Sequence, residues 1–258
     1  EMRERIEKVV GSDARNLWMG TFHSVFARIL RAEAHHLGYP NNFTIYDVDD
    51  SKSLIKSIVK EMGLDENAYK ASTVYNRISA AKNRLIGWQE YLGNAELMGD
   101  DAANMRPELG KIFKNYSLRC FKSGAMDFDD LLFNTDKLFK EHLEVLNKYQ
   151  HRISYVLVDE FQDTNLCQYF IIRKPASVRQ NICVVGDDAQ SIYAFRGADI
   201  TNILNFEDDY PDAEVTDNSD RILGRVDFTL SSSDTIFGRY IYTTRTRVLP
   251  GWFPGINH

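Results

Sequence analysis

The hydrophobic pattern predicts a largely helical segment between residues 49 and 124. Leu54, Ile55, Ile58, Val59 and Met62 recur at the spacing of one helix face, and Gly63 follows them as an end signal. The same spacing predicts further helices over residues 73–85, 108–121 and 127–139. The last of these is expected to begin at Asp127 or Asp129, because short acidic side chains cap helix N-termini.

Short apolar runs elsewhere predict β-strands. Val156–Val158 and residues 182–185 are separated by a helix-like segment from Cys167 to Arg173, which Pro175 is expected to stop. Strand, helix and strand at this spacing form a right-handed crossover unit with parallel strands. Residues 17–20 are also expected to form a strand, which leads into a helix through Arg31.

The tail, residues 216–258, has a different pattern. Val226, Phe228 and Leu230 alternate with polar residues, and a turn-like Ser-Ser-Asp string follows them. Period-two alternation around a turn predicts a β-hairpin. We expect this tail to be foreign to the preceding domain and to pack poorly.

Composition places the chain among ordinary soluble globular proteins. Its 258 residues are 43% hydrophobic and 26% charged, and the formal net charge is −6. A nucleic-acid surface would therefore have to be a local basic patch. The three cysteines show no metal-type spacing, which favours free thiols in a reducing cytosol. His35 and His36 have no third ligand at metal spacing, which argues against zinc.

The strongest chemical signal is the pair Asp159 and Glu160, which directly follows the strand Val156–Val158. Open α/β sheets bind ligands at the carboxyl ends of their strands. Carboxylate oxygens suit Mg²⁺, and a second carboxylate can orient a water that attacks a phosphate. Gln190 follows the next strand and could sense a terminal phosphate. Asp163 or Thr164 is expected to cap the following helix.

Several residues could contact nucleic acid. Tyr193, Phe195 and Arg196 could stack on unpaired bases and contact phosphate. Thr21 and His23 lie at a predicted strand-to-helix turn that could hold a phosphate backbone, although Thr21 could equally be a helix cap. A basic group could form a DNA patch or simply a solvated helix face, and it comprises Lys70, Arg77, Lys82 and Arg84.

Taken together, these strings resemble the UvrD/Rep family of superfamily 1 DNA helicases. The matching strings cover about residues 1–215 and include Thr21–Ser24, the Asp-Phe-Asp-Asp-Leu-Leu string from Asp127, Asp159–Asn165 and Gly186–Ala198. The resemblance implies an α/β fold: a partial RecA-like (P-loop NTPase-type) parallel-sheet domain with an inserted all-helical subdomain and a short β-like tail. The motor domain would occupy residues 1–48 and 126–215, and the insertion residues 49–125.

The resemblance also implies an ATP-driven motor that moves 3′ to 5′ along single-stranded DNA, with ATP and Mg²⁺ as cofactors. Asp159 would bind Mg²⁺, Glu160 would polarise water, and Gln190 would couple the γ-phosphate to DNA. The DNA strand would be met by Thr21, His23, Tyr193, Phe195 and Arg196. Expected partners are single-stranded DNA, the duplex junction and other repair or replication proteins, in the bacterial cytoplasm and without a membrane.

The sequence also departs from the family pattern. The phosphate-binding Gly-Lys-Thr loop is expected upstream, Thr216–Asp220 replaces the expected Asn-Tyr-Arg-Ser motif, and a second motor domain is not present. We therefore expect the chain alone to be a poor ATPase. Residues 224–255 instead resemble strands of TonB-dependent outer-membrane receptors. Two alternatives stay open: a non-catalytic module that binds single-stranded DNA or protein, and a subunit of a helicase–nuclease.

Overall fold

The computed structural model describes residues 2–11, 14, 17–186, 202, 216–229 and 235–248, and in the last two ranges it describes the backbone alone. The chain divides into two compact units, Glu1–Tyr149 and Gln150–His258. The described residues are mostly helical and carry three two-stranded sheets, two parallel and one antiparallel. The predicted α/β class is confirmed at this level.

The first unit alternates helices with two very short strands. Its elements are α1 (Met2–Val10), α2 (Phe22–Glu33), a 3-10 helix (Ala34–Leu37), β1 (Thr44–Tyr46), α3 (Val48–Glu61), α4 (Ala71–Asn83), α5 (Trp88–Gly93), α6 (Ala95–Ala103), α7 (Leu109–Lys122), β2 (Ala125–Asp127) and α8 (Phe128–Glu141). Helix α9 (Leu143–Arg152) follows α8.

The second unit contains a parallel strand pair and a hairpin. Its elements are β3 (Val156–Val158), a 3-10 helix (Phe161–Asp163), α10 (Leu166–Ala176), β4 (Ile182–Val184), β5 (Thr216–Thr229) and β6 (Thr235–Val248). Strands β5 and β6 pair antiparallel from Thr216↔Val248 to Thr229↔Thr235. Among the helices of the described ranges, none combines the length and the apolar character needed to cross a bilayer.

Helices α3 to α7 share one apolar core. Ile55, Ile58 and Val59 on α3 are at most 1% exposed, so the helical spacing of the sequence corresponds to a buried face. They pack with apolar residues of α4, α5 and α7, which include Val74, Ile78, Tyr91, Ile112, Phe113 and Tyr116. The helices predicted around residues 54–62, 73–85, 108–121 and 127–139 are confirmed as α3, α4, α7 and α8.

Strands β1 and β2 form a parallel pair that the sequence pattern did not predict. Thr44 is the partner of Ala125, Ile45 of Met126, and Tyr46 of Asp127. Strand β1 directly precedes α3, and β2 directly follows α7. The helical segment from α3 to α7 is therefore flanked by two strands that are hydrogen-bonded neighbours.

Two local predictions were wrong. Residues 17–20 are irregular, and no strand in the described part of the chain pairs with them. Pro175 does not stop α10 but lies in its last turn, before the helix ends at Ala176. Pro175 cannot donate the one backbone hydrogen bond that its position would make, and the helix ends one residue after it.

A buried ion cluster joins α4, α7 and the start of α8. The Nζ atom of Lys82 lies 2.6 Å from Oδ2 of Asp127 and 2.7 Å from Oδ1 of Asp130, and the Lys82 side chain is 3% exposed. The Tyr116 hydroxyl donates a further hydrogen bond to Asp127 at 2.7 Å. Asp127 also caps α8 in a reciprocal capping box with Asp130. The cluster thus determines where α8 begins.

The cluster shifts the protonation equilibria of all three charged groups. Burial alone lowers the pKa of Lys82, but the two carboxylates outweigh it and hold that pKa above its ordinary value. Burial and the neighbouring Asp127 raise the pKa of Asp130. Burial opposes ionisation of Asp127 as well, but Lys82 holds the pKa of Asp127 below its ordinary value. The lysine is therefore what keeps a carboxylate charged in this interior.

Replacing Lys82 with methionine should lower the free energy of unfolding by about 3–5 kcal/mol, because two buried carboxylates lose their cation. Their folded-state pKa values should then rise above those of the unfolded chain. The folded variant would bind more protons, so it should regain stability as the pH falls from about 8 to about 5. Urea unfolding at several pH values measures both effects.

Lys56→Met is the matched control. Lys56 is 69% exposed and its ion pair with Glu66 spans 4.0 Å, so this change should leave the unfolding free energy nearly the same. A Lys82 variant as stable as this control would show that the buried cluster contributes little.

Candidate functional site

The carboxylates that the sequence singled out lie at the end of a parallel strand, as predicted. Strands β3 and β4 pair in parallel, with Val156 opposite Ile182 and Val158 opposite Val184, and α10 connects them. The predicted crossover unit is therefore confirmed. Asp159 and Glu160 follow β3, and Gly186 follows β4 on the same edge, since parallel strands end at one edge of a sheet.

Both carboxylates are exposed, and the local backbone holds them in a defined arrangement. Glu160 adopts the left-handed conformation with φ 52° and ψ 43°, which is unusual for a residue with a long side chain. Its backbone N–H donates to Oδ1 of Asp159 at 3.0 Å, and Nε2 of Gln162 donates to its Oε2 at 2.8 Å. Strained backbone of this kind concentrates at functional sites.

The helix behind this edge is capped by a different residue from those predicted. Asn165 accepts a hydrogen bond from the backbone N–H of Gln168 at 2.8 Å and forms a capping box with that residue. Thr164 instead donates its hydroxyl to the carbonyl of Phe161 at 2.7 Å. Asp163 ends the short 3-10 helix, and burial together with nearby Glu160 raises its pKa. The extra 3-10 turn moves the start of α10 beyond both predicted caps.

A second group of candidate residues lies at the start of α2 in the first unit. Thr21 is the N-cap: its Oγ1 accepts from the backbone N–H of Ser24 at 3.3 Å, while the Ser24 hydroxyl donates to the Thr21 carbonyl at 2.8 Å. Thr21 and Ser24 are exposed. The capping role that the sequence left open is therefore present, and it leaves the helix N-terminus facing solvent.

His23 is the second residue of α2 and contacts an aromatic residue from α8. The rings of His23 and Phe128 meet edge to face, with centroids 5.9 Å apart and an interplanar angle of 85°. Phe128 is 43% exposed. Burial lowers the pKa of His23, and the charge of Asp129 only partly opposes this. We call Thr21, His23 and Phe128 the α2/α8 surface.

Sequence reasoning did not propose Phe128 as a site residue. Its string was used to locate a helix and as part of the family resemblance, and an aromatic at the first position of a helix gives no sign of being exposed. An available signal was its position directly after the capping residue Asp127, where the first helical side chain often faces away from the core.

The sequence left the basic group open between a DNA patch and a solvated helix face, and two of its four members fit neither alternative. Lys82 lies inside the buried ion cluster. Arg77 donates from Nε to the Tyr91 hydroxyl at 2.9 Å and to Oδ1 of Asp101 at 3.1 Å. Only Lys70 and Arg84 are exposed. The other predicted site residues, Gln190, Tyr193, Phe195 and Arg196, lie outside the described residues.

Comparison with known proteins identifies the family. Residues 1–211 match the sequence model of the UvrD/REP helicase N-terminal domain. The chain belongs to this family. The ATP-dependent DNA helicase PcrA of Bacillus subtilis strain 168 is 43% identical to it over 215 residues, which are 83% of this chain and 28% of the relative.

Other PcrA helicases are similar to the same extent. Those of Staphylococcus aureus strain Mu50 and Staphylococcus epidermidis are 42% and 41% identical, over 213 and 214 residues. In each case the matched part covers 83% of this chain and 28% of the relative. The chain thus spans less than a third of the length of these UvrD/Rep helicases.

The left-handed backbone at Glu160 can be tested by substitution in this UvrD/Rep domain. Glu160→Val should lower the free energy of unfolding by roughly 1–2 kcal/mol, since a β-branched residue disfavours positive φ. Glu160→Asn should leave stability unchanged or slightly raised, because asparagine tolerates this conformation. Thermal unfolding of both variants measures the difference. Equal stability of the two would contradict the left-handed conformation.

The partly buried environment of His23 can be tested by NMR titration. Its pKa should lie below the ordinary value of 6.5. Asp129→Asn should lower it further, because the neighbouring negative charge is the influence that raises it. Asp100→Asn, on α6, is the control and should not move it. A His23 pKa above the ordinary value, or one unaffected by Asp129→Asn, would contradict this arrangement.

Proposed function

We propose that this chain is the ATP- and DNA-binding part of a 3′–5′ DNA helicase. The observation that carries the proposal is the exposed pair Asp159–Glu160 at the end of a parallel strand in a UvrD/Rep domain. The similar PcrA proteins are named as ATP-dependent DNA helicases. A bacterial cytoplasmic location and repair or replication proteins as partners belong to the same proposal.

The proposed architecture is a RecA-like motor domain, residues 1–48 and 126–215, interrupted by a helical subdomain at residues 49–125. The pairing of β1 with β2 supports this arrangement. Thr44–Tyr46 and Ala125–Asp127 are parallel neighbours although some eighty residues separate them. At an insertion the chain must leave the surrounding domain and re-enter it at nearby points. Strands β1 and β2 lie next to each other on either side of the proposed helical subdomain.

Asp159 and Glu160 fit the Mg²⁺ and water roles that the family implies. Both are exposed oxygen donors at a strand end, and oxygen donors are what Mg²⁺ prefers. When bound, Mg²⁺ would neutralise charge on the β- and γ-phosphates. Asp159 would hold the ion, and Glu160, held by Gln162, would orient the attacking water. Gln190 would connect the γ-phosphate to DNA.

The α2/α8 surface would contact the DNA strand. Thr21 and the solvent-facing N-terminus of α2 would bind the phosphate backbone, since N–H groups at a helix N-terminus and the helix dipole favour anions. Phe128 offers a half-exposed ring on which an unpaired base could stack. His23 supports that ring edge to face. Tyr193, Phe195 and Arg196 would also contact DNA, as the family resemblance implies.

DNA binding by the chain should depend on this surface. Phe128→Ala should cost roughly 1–3 kcal/mol of binding free energy for an oligothymidylate, because one stacking platform is lost. The affinity should fall steeply with salt. Fluorescence anisotropy measures both. Phe121→Ala is the matched control, since Phe121 is 46% exposed but lies on α7. Equal losses in both variants would contradict the proposed surface.

ATP hydrolysis would need a phosphate-binding loop and a second motor domain. The 258 residues contain no Gly-Lys-Thr string, so the chain alone should hydrolyse ATP negligibly. A chimera in which residues 1–215 replace the matching part of B. subtilis PcrA supplies both missing parts. It should show DNA-stimulated ATP hydrolysis that Glu160→Gln reduces at least about a hundredfold, with DNA binding retained.

The outcomes of that experiment separate the alternatives. A chimera that binds DNA but hydrolyses no ATP would favour a non-catalytic binding module. Strong ATP hydrolysis by the chain alone, abolished by Glu160→Gln, would contradict the need for the missing loop.

A further inference from the structure

We propose that His36, His142 and Glu144 form a binding site for a divalent first-row transition metal, with Zn²⁺ as the preferred ion. His36 belongs to the 3-10 helix that follows α2, His142 is the C-cap residue of α8, and Glu144 lies in the first turn of α9. One potential ligand atom from each residue lies within 4.8 Å of the other two. The site is distinct from the carboxylates after β3.

The three side chains lie close to one another. Nδ1 of His142 lies 3.2 Å from Oε1 of Glu144, and Nδ1 of His36 lies 3.8 Å from the same oxygen. Ligands about 2.0–2.2 Å from a tetrahedral Zn²⁺ stand a little over 3 Å apart. Glu144 is 66% exposed and both histidines are 27% exposed. The three ligand atoms would therefore need only to move closer by rotation of side chains, of which the exposed Glu144 is the least constrained by burial.

A buried carboxylate lies near one of the two histidines. Oε2 of Glu33 lies 3.7 Å from Nε2 of His36, the ring nitrogen other than the one nearest Glu144. Glu33 is only 4% exposed. It is held by Lys148 Nζ at 2.5 Å and by the Tyr149 hydroxyl at 3.2 Å. Metal-bound histidines commonly donate their second ring N–H to a carboxylate, which fixes the ring and raises its basicity.

The chemical types of the three ligand atoms determine which class of metal would bind. Two imidazoles and one carboxylate suit Zn²⁺ and its neighbours, whereas Mg²⁺ prefers oxygen donors alone. Three protein ligands leave a fourth position for water, as in open zinc sites. The sequence argued against zinc because no third ligand is spaced near His35 and His36. In the folded chain, His142 and Glu144 supply further ligands, although they lie more than a hundred residues along the sequence from His36.

The site would join two helices that also carry the α2/α8 surface. The contact between His23 and Phe128 lies at the N-terminal ends of α2 and α8, and His36 and His142 lie beyond their C-terminal ends. A bound metal would therefore hold the far ends of this parallel helix pair together. Binding to the folded state alone would raise its thermal stability.

Calorimetry on the metal-free, tag-free chain tests the proposal, with Mg²⁺ in excess to occupy oxygen-only sites. We expect one Zn²⁺ per chain and a higher Tm when the site is saturated. His36→Gln and His142→Gln should each weaken binding at least about tenfold and abolish the rise in Tm. Affinity should also fall at acidic pH, since protons compete for imidazole.

His151→Gln is the matched control, because His151 is an exposed histidine outside the cluster. It should bind Zn²⁺ as the unaltered chain does. Co²⁺ provides an independent readout: its absorption spectrum should lack thiolate charge transfer, which would appear if Cys183 were the ligand. Unchanged affinity in both cluster variants, or a thiolate spectrum, would overturn the proposal.

Discussion

The buried ion cluster around Lys82 is the constraint on which the first unit depends. A lysine and two aspartates are expensive to remove from water, and their arrangement is stable only while each charge is paired. Here the lysine comes from α4, Asp127 is the N-cap of α8 and Asp130 lies in its first turn, with Tyr116 of α7 as a further donor. The same aspartates cap α8. Three helices are thereby held at one point in a specific register.

That register determines which side chains face solvent beside α2. Because Asp127 is the N-cap, Phe128 and Asp129 occupy the first two helical positions of α8. Phe128 contacts His23, and Asp129 influences its pKa. The α2/α8 surface is therefore a consequence of the buried charges behind it. In the second unit a different constraint operates, since the left-handed Glu160 sets the direction of a carboxylate after β3.

Sequence reasoning succeeded where the signal was local and failed where it depended on distant contacts. The helical spacing of Ile55, Ile58 and Val59 reports the buried face of one helix, and the apolar run before Asp159 reports one strand, although Leu157 in that strand is exposed. The pairing of β1 with β2 depends on three-residue strands far apart in the chain, which carry no periodic signal. Lys82 was read as a surface charge because its partners lie some forty-five residues away. His142 and Glu144 were missed beside His36 for the same reason.

Photo-cross-linking tests the DNA-contact surface most directly. An oligonucleotide carrying 5-iodouracil at single positions would be irradiated with the chain, and the cross-linked peptides would be identified by mass spectrometry. We predict adducts in the peptides that contain His23 or Phe128, and their loss in competition with unlabelled single-stranded DNA. Specific adducts confined to peptides outside residues 20–24 and 127–132 would contradict a DNA contact at the α2/α8 surface.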